Sequence, residues 1–251
     1  MRHSRRANMT ATKDANSNHA LGRKSSASRG PKPSLTPSEI ARAAIQLADE
    51  KGFQAVTMQS VAQRVGVTTM ALYRYFPGKS DLLALMIDSA SDAPANFGRS
   101  ASSWKTRLKT WARQCLAMYR NHPWFLQATS IRSTQMGPNE LTWMEAALAM
   151  LSESGLKSKD QHHAFLSLIG HVRGHATFQQ IASQRESAHS WTHDLAQLLK
   201  SEAHRYPALV QALDSGRFFD DPDGAFDFGL DCILEGISIL ARQHKATPPR
   251  R

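Results

Sequence analysis

Cysteine is scarce in this chain. Its 251 residues include two, Cys115 and Cys232, and both fall inside helical, partly apolar patterns. That excludes a disulfide scaffold and fits a reducing, cytoplasmic setting. Long apolar runs are missing as well. Nothing approaches the ~18–20 residues that a membrane-spanning helix needs. The basic N-terminus is followed by no hydrophobic stretch of the kind a secretory signal carries. Several sites of chemistry are also lacking: there is no GxSxG elbow, no HExxH pair, no CxxC and no GxxxxGK[ST] phosphate loop. Neither an enzyme nor a metal or other cofactor is expected. Strand-like alternation is too short-lived to argue a sheet. The expected fold is therefore all-α.

Acidic residues are locally scarce too. The formal net charge is +10, but most of the excess sits at the ends. Residues 1–35 hold eight Lys or Arg against one Asp, and residues 242–251 hold four basic residues and no acid. The total is thus a weak argument for nucleic acid. The stretch TMQSVAQRVGVTTMALYRYFPGKSDLL, Thr57 to Leu83, is more informative. It carries Arg64, Arg74 and Lys79 with no acid before Asp81.

Four segments follow from composition and periodicity: a disordered basic arm over 1–34, a helix-turn-helix domain over 35–91, a larger helical domain over 99–243, and a basic tail over 244–251. In the arm, RGPKP (Arg29 to Pro33) suits either a DNA minor groove or a plain solvated tail. The first helix opens at Thr36 with Pro37 at its first position and Glu39 completing a capping box. Ile40, Ala43, Ala44, Leu47 and Ala48 form its apolar stripe, and Gly52 ends it. Later helices are expected near 101–121, 123–130, 139–154, 159–185, 191–201, 207–214 and 223–243.

Between Thr57 and Tyr75 the pattern is that of two short helices crossing at a tight turn. Met58, Val61, Ala62 and Val65 share one face. Gly66 turns the chain, Val67 plugs the corner, Thr68 caps the next helix, and Ala71, Leu72 and Tyr75 offer inward or semi-inward groups. This is a helix-turn-helix. Its second helix suits a major groove, with its first residues at the base edges. Thr68, Thr69, Met70 and Arg74 are the candidate base readers. Thr57, Tyr73 and Lys79 are the candidate phosphate contacts, which set register. A small basic helical subdomain without a ligand remains the plainer reading of this pattern.

The same residues carry a family resemblance. FQAVTMQSVAQRVGVTTMALYRYFPGKSDLL, with LYRYFPGKSDLL as its most specific part, closely resembles the N-terminal domain of TetR/AcrR transcriptional regulators. YRNHPWFLQ, GPNELTWMEAALAMLSESGL, RGHATF and FDFGLDCILEGI more loosely resemble a tetracycline-repressor-type C-terminal domain. The resemblance implies a homodimer that reads a palindromic double-stranded DNA operator, represses, and is released by a small molecule. It also implies phosphate contacts at Tyr73 and Lys79 and base contacts at Thr68, Thr69 and Met70. No motif here carries over the histidine–magnesium drug chemistry of the tetracycline repressor.

In the larger half, aromatic and polar residues recur in helical phase. Trp104, Trp111, Trp124, Phe125, Arg132, Trp143, Met144, His171, His175, Phe178 and Gln179 are candidates to line a cavity for a small hydrophobic or aromatic effector. His171 and His175, four apart, are too few for a metal site and suit ordinary hydrogen bonds. Two apolar stripes are candidates for a four-helix seam between chains. They are Phe165, Leu168, Ile169 and Val172 on one helix, and Phe226, Leu230, Ile233, Ile237 and Leu240 on another. Either stripe would equally suit the protomer's own core. A ligand-responsive repressor is the leading reading. An activator or architectural DNA-binding protein with no effector, and a helical interaction protein without DNA binding, stay open.

Overall fold

The computed structural model describes residues 35–92, 102–131, 136–184, 197–199, 201–214 and 221–246. The basic arm, with RGPKP, therefore lies outside the described residues. So do Arg132, most of the helix expected over 191–201, and the last five residues. No strand occurs among the described residues. The elements in order are α1 (Pro37–Lys51), a 3-10 turn (Phe53–Ala55), α2 (Met58–Arg64), α3 (Thr69–Tyr73), α4 (Lys79–Ala90), α5 (Trp104–Asn121), α6 (Trp124–Ile131), α7 (Pro138–Ser152), α8 (Ser158–Gln184), α9 (Pro207–Asp214) and α10 (Pro222–Ala246). No helix among the described residues is long and apolar enough to cross a membrane.

Local chemistry sets the first boundaries. Thr36 Oγ1 accepts the Glu39 N–H at 3.2 Å, and the Glu39 carboxylate accepts the Thr36 N–H at 2.8 Å. Two of the donors at the start of α1 are thus satisfied. Those hydrogen bonds from Thr36 hold the Glu39 carboxyl below its usual range. Gly52 ends the helix at φ +80, a left-handed value that favours glycine. Ile40, Ala41, Ala44, Leu47 and Ala48 are buried. Ala41 holds the buried place expected for Ala43, which is half-buried. At 3.6 residues per turn Ala43 sits roughly 100° from the centre of the stripe, so it lies at the rim.

The reading unit packs on α1 through Met58, Val61, Ala62, Leu72 and Phe76. Phe76, not Tyr75, supplies the second inward side chain of α3's end; Tyr75 stays at the surface. Val65 is only half-buried, because the chain leaves the helix there. Leu82, Leu83, Met86 and Ile87 then bind α4 into the same core.

In the larger half, α8 is the central element, packed against α5, α7 and α10. Leu168 and Val172 of α8 are fully buried with Trp111, Leu108, Met150, Leu151 and Leu230 around them in one core. Four ion pairs run between α5 and α10: Lys105–Glu235, Lys109–Asp231, Arg113–Asp227 and Arg120–Asp223. The acids recur every four residues, so one α10 face meets one α5 face. Exposed pairs of this kind contribute about 0–1 kcal/mol each, so they fix register more than stability. On α10, Gly229 lets the chain close on α8: a Cβ there would come 2.5 Å from His171 Cε1.

The two stripes considered for an interchain seam turn inward. Leu168, Val172, Phe226, Leu230 and Ile237 are buried in the protomer's own core, and Phe165, Ile169 and Ile233 pack against it. Leu240 is half-exposed. The physical reason is that a long helix buries its most apolar stripe against its own neighbours. Among the residues left exposed there is an apolar set. It consists of Leu166, Gly170, Gly174, Phe178 and Ile181 on α8, and Phe228, Cys232, Ile239 and Leu240 on α10.

Candidate nucleic-acid interface and effector cavity

The reading helix is short and set up by caps. Thr57 Oγ1 accepts the Ser60 N–H at 3.0 Å, and Ser60 Oγ in turn donates to the Ala55 carbonyl at 2.7 Å. Gly66 makes the turn at φ +73. A Cβ at Gly66 would meet nothing within 4 Å, so the turn's demand is conformational and not a crowded crossing. Thr68 Oγ1 accepts the Ala71 N–H at 3.1 Å and starts α3. The Thr68 hydroxyl proton remains available for donation.

On the outer side of α3, Met70 is 76% exposed and Tyr73 is 44% exposed, while Leu72 at the opposite side is fully buried. Thr69 is half-buried, and Arg74 and Lys79 are exposed. Thr57, Thr68, Met70, Tyr73, Arg74 and Lys79 all therefore reach solvent. Lys79, at the first turn of α4, holds its ammonium 5.2 Å above the Phe53 ring. Arg64 differs from its sequence reading. Its guanidinium is forked onto Glu50 of α1 at 2.5 and 2.7 Å. This pairing raises the Arg64 pKa and lowers that of Glu50. The acid fourteen positions earlier was invisible to a local charge count. The cationic groups left on this face are Arg74 and Lys79.

Two clasps tie the head to the larger half. At one, Asp49 Oδ1 of α1 accepts Trp124 Nε1–H at 2.7 Å and hydrogen-bonds His122 Nδ1 at 2.9 Å. At the other, buried Asp88 of α4 accepts the backbone N–H of Asn139 at 2.8 Å and of Glu140 at 3.3 Å. Asn139 Nδ2 donates back to the Asp88 carbonyl at 2.9 Å. A carboxylate at the start of α7 suits that helix's exposed N–H groups and dipole. One turn along α7, Trp143 Nε1 donates to the carbonyls of Ser91 and Asp92 at 2.5 and 2.8 Å. These are carbonyls at the end of α4.

Trp143 also belongs to a cavity of about 210 Å³. Its walls include Trp111, Cys115, Phe125, Trp143, Met144, Phe165 and Ile169. Trp111 Nε1 donates to the Trp143 carbonyl at 3.0 Å, and the two rings lie 6.4 Å apart. Polar groups in the lining are Ser91, Thr129, Glu140, Tyr119 and Arg173. Burial pushes the Cys115 thiol well above its usual range and raises the Tyr119 phenol, so both present neutral groups. A second cavity of about 210 Å³ lies beside Arg120, Leu126, Ala176, Gln179 and Gln180, with Tyr119 common to both linings.

Of the effector candidates read from the sequence, Trp111, Phe125, Trp143 and Met144 thus converge on one cavity, and Gln179 lines the other. The remaining described candidates lie elsewhere. Trp124 is held in the Asp49 clasp. Trp104 is half-buried at the start of α5 beneath the Lys105 ammonium, and Phe178 is exposed. His171 stacks on Phe226 with centroids 5.0 Å apart, its Nε2 bonded to the Phe226 carbonyl at 2.9 Å. His175 Nε2 lies 3.0 Å from Gln179 Nε2. No group of three metal-ligating side chains occurs among the described residues. Phe165 and Ile169, read as seam residues, line the cavity instead. Cys115, Met118, Tyr119 and Arg173 were missed. The first three continue the Trp111 stripe at spacings of four, seven and eight, a signal that was present. Arg173 carried no such signal.

Residues 40–86 match the model of the bacterial regulatory proteins of the tetR family, and residues 96–240 match the tetracyclin repressor-like C-terminal domain. The chain is similar to the HTH-type transcriptional repressor DrrR1 of Streptomyces coeruleorubidus. The two are 38% identical over 228 residues, which cover 87% of this chain and 83% of that one. It is 28% identical over 211 residues to the class A tetracycline repressor from transposon 1721 of Escherichia coli, covering 81% and 91% of the two chains. Among solved structures, apo ActR from Streptomyces coelicolor superposes with a TM-score of 0.75 at 24% identity, covering 84% of this chain and 98% of that one. ActR in complex with actinorhodin gives 0.74 at 25% identity, covering 82% and 96%.

Proposed function

This chain belongs to the tetR family of bacterial regulatory proteins, and from that premise we propose that it is a transcriptional repressor whose homodimer binds a palindromic operator and leaves it when a small hydrophobic or aromatic effector enters the α5–α8 cavity. The observation that carries this reading is the physical continuity from cavity to reading head. Trp143 is at once a wall of the cavity and the donor that holds the end of α4, and α4 begins at Lys79 on the DNA-facing side. A ligand that shifts Trp143 shifts that hold. The two sites then share one coupling free energy, typically about 1–3 kcal/mol.

The head supports the other half of the proposal. Thr68, Thr69, Met70 and Arg74 are the base readers, and Thr57, Tyr73 and Lys79 hold phosphates. One reading unit per chain has limited sequence reach, so two are required for a long operator. The exposed apolar faces of α8 and α10 supply the seam, with Gly170 and Gly174 allowing close approach. The repressor name of the Streptomyces coeruleorubidus relative supports the sign of regulation, and the complex of ActR with actinorhodin supports a ligand-responsive reading. Its place of work is the cytoplasm, where the DNA is.

Selection of bound duplexes from a random pool, followed by a reporter carrying the selected site, tests this. The expected result is a palindromic consensus and a reporter silenced by the protein. A non-palindromic or absent consensus, or a reporter that the protein activates, would overturn it.

A further inference from the structure

Arg173 has an unusual setting for a half-buried cation. It lies on α8 in the wall of the aromatic cavity. Its Nη1 donates to Thr129 Oγ1 at 2.7 Å and to the Tyr119 hydroxyl at 3.2 Å, and its Nη2 donates to Ser130 Oγ at 2.8 Å. Its guanidinium carbon sits 6.0 Å from the Tyr119 ring centre. All of these partners are neutral. None of the ion pairs among the described residues includes Arg173, although α5 and α10 nearby pair Lys105, Lys109, Arg113 and Arg120 each with an acid. A guanidinium has five N–H bonds, and three are engaged here. Its Nε has no hydrogen-bond partner and is not sealed off, since it is absent from the buried atoms left without one.

None of the other ionisable groups of this wall forms an ion pair with Arg173 among the described residues. Cys115 and Tyr119 are held neutral by burial. Glu140 is the lining's carboxylate, and its Oε2 accepts the Gly137 N–H at 3.2 Å at the start of α7. The cavity therefore presents a donor fork on its α8 wall, an acceptor near the α4–α7 junction, and aromatic walls between them.

We propose that the cavity selects an anionic aromatic effector, a ring system bearing a carboxylate or an acidic phenol, and that Arg173 is the residue that holds its charge. This rests on the effector reading of the cavity given above. The rings lie among Trp111, Phe125, Trp143 and Phe165. The anion takes the open N–H bonds of Arg173, whose three hydroxyl partners hold the fork in place. A fork of this geometry favours a carboxylate bidentately and loses much of its value to a neutral group.

The test uses the full chain and two probes of nearly equal shape, 2-naphthoate and its neutral amide, 2-naphthamide. Binding is read by calorimetry and by quenching of tryptophan fluorescence. The acid is expected to bind at least about tenfold more tightly than the amide, as charge-assisted hydrogen bonds imply. In Arg173→Gln the ratio falls toward one, while Arg173→Lys keeps a preference for the acid. A purely structural Arg173 would weaken both probes alike and leave their ratio unchanged in Arg173→Gln. Equal affinities in the wild type, no binding of either probe, or an unchanged ratio in Arg173→Gln each overturn the proposal. The wild-type ratio needs no variant, so misfolding of Arg173→Gln does not shield it. Tight naphthoate binding with no loss of operator would count instead against effector-driven release and leave the role of Arg173 standing.

Discussion

The carboxylate of Asp88, near the end of the helix that starts at Lys79, accepts the Asn139 backbone N–H at 2.8 Å. It thereby caps a helix of the larger half. Gly137 makes that approach possible, because a Cβ there would lie 2.2 Å from Asp88 Cγ. The head and the effector-binding half are thus joined by a fitted pair, not by a loose linker.

Asp88→Ala leaves two N–H groups at the start of α7 without their acceptor, and should cost about 1–3 kcal/mol of stability. Gly137→Ala should cost a similar amount through collision. In Asp88→Ala the two nearest atoms, Cγ and Oδ1, are gone and only Cβ, at 2.6 Å, is left to collide, so the double variant should lose less than the sum of the two. Chemical denaturation of all four proteins checks this. Additive losses would refute the pairing.

Trp143→Phe keeps an aromatic wall in the cavity and removes the donor to Ser91 and Asp92. Stability should drop by about 1 kcal/mol, and operator affinity without effector should change little. The concentration of effector needed for release should move. A gel-shift titration reads both quantities, and an unaltered release curve would refute the role given to this indole.

Lys79→Ala should weaken all operators alike and lower the salt dependence by about one phosphate contact. Met70→Ala and Thr69→Ala should instead reorder the preferred sequences. Binding to a panel of single-base operator variants, at two salt concentrations, separates the roles. An unchanged ranking for Met70→Ala would remove it from the base-reading set.

Phe228→Glu places a charge on the exposed apolar face of α10 and should yield folded monomers that lose operator binding. Sedimentation with circular dichroism checks both parts. Phe228 is 74% exposed, so the fold of the protomer should survive. A Phe228→Glu dimer as tight as the wild type would place the seam elsewhere.

His175 titrates below its ordinary value of 6.5, first because burial disfavours its charged form and then because His171 and Arg120 are near. A base with a lowered folded-state pKa leaves the unfolded chain holding more protons below that ordinary value. Its contribution is complete above about pH 6.5 and is lost as pH falls toward the depressed value. His175→Gln should therefore flatten the fall in melting temperature between about pH 7.5 and about pH 5.5. Parallel wild-type and variant profiles over that range would refute it.

The head was the more legible half. Its caps, Gly52, Gly66 and Thr68 are local devices, decided by residues within four positions of one another. Its exceptions were cases of distance. Arg64 read as a free cation because its acid, Glu50, sits on another helix. Tyr75 read as inward or semi-inward because a five-residue helix ends before its periodicity is reliable, and Phe76 takes the buried place. In the larger half the helices were legible and their neighbours were not. Trp124 and Trp143 look alike along the chain, yet one clasps Asp49 and the other walls a cavity.

What the sequence determined by itself was the all-helical class, the reading unit and the family, because each depends on short-range periodicity, capping and turn chemistry. Tertiary structure alone decided which face of α8 and α10 stays outward, which aromatics meet around a void, and where Arg173 finds hydroxyls in place of an acid. Those outcomes depend on the rotation and spacing of helices far apart in the chain, and no local pattern encodes them.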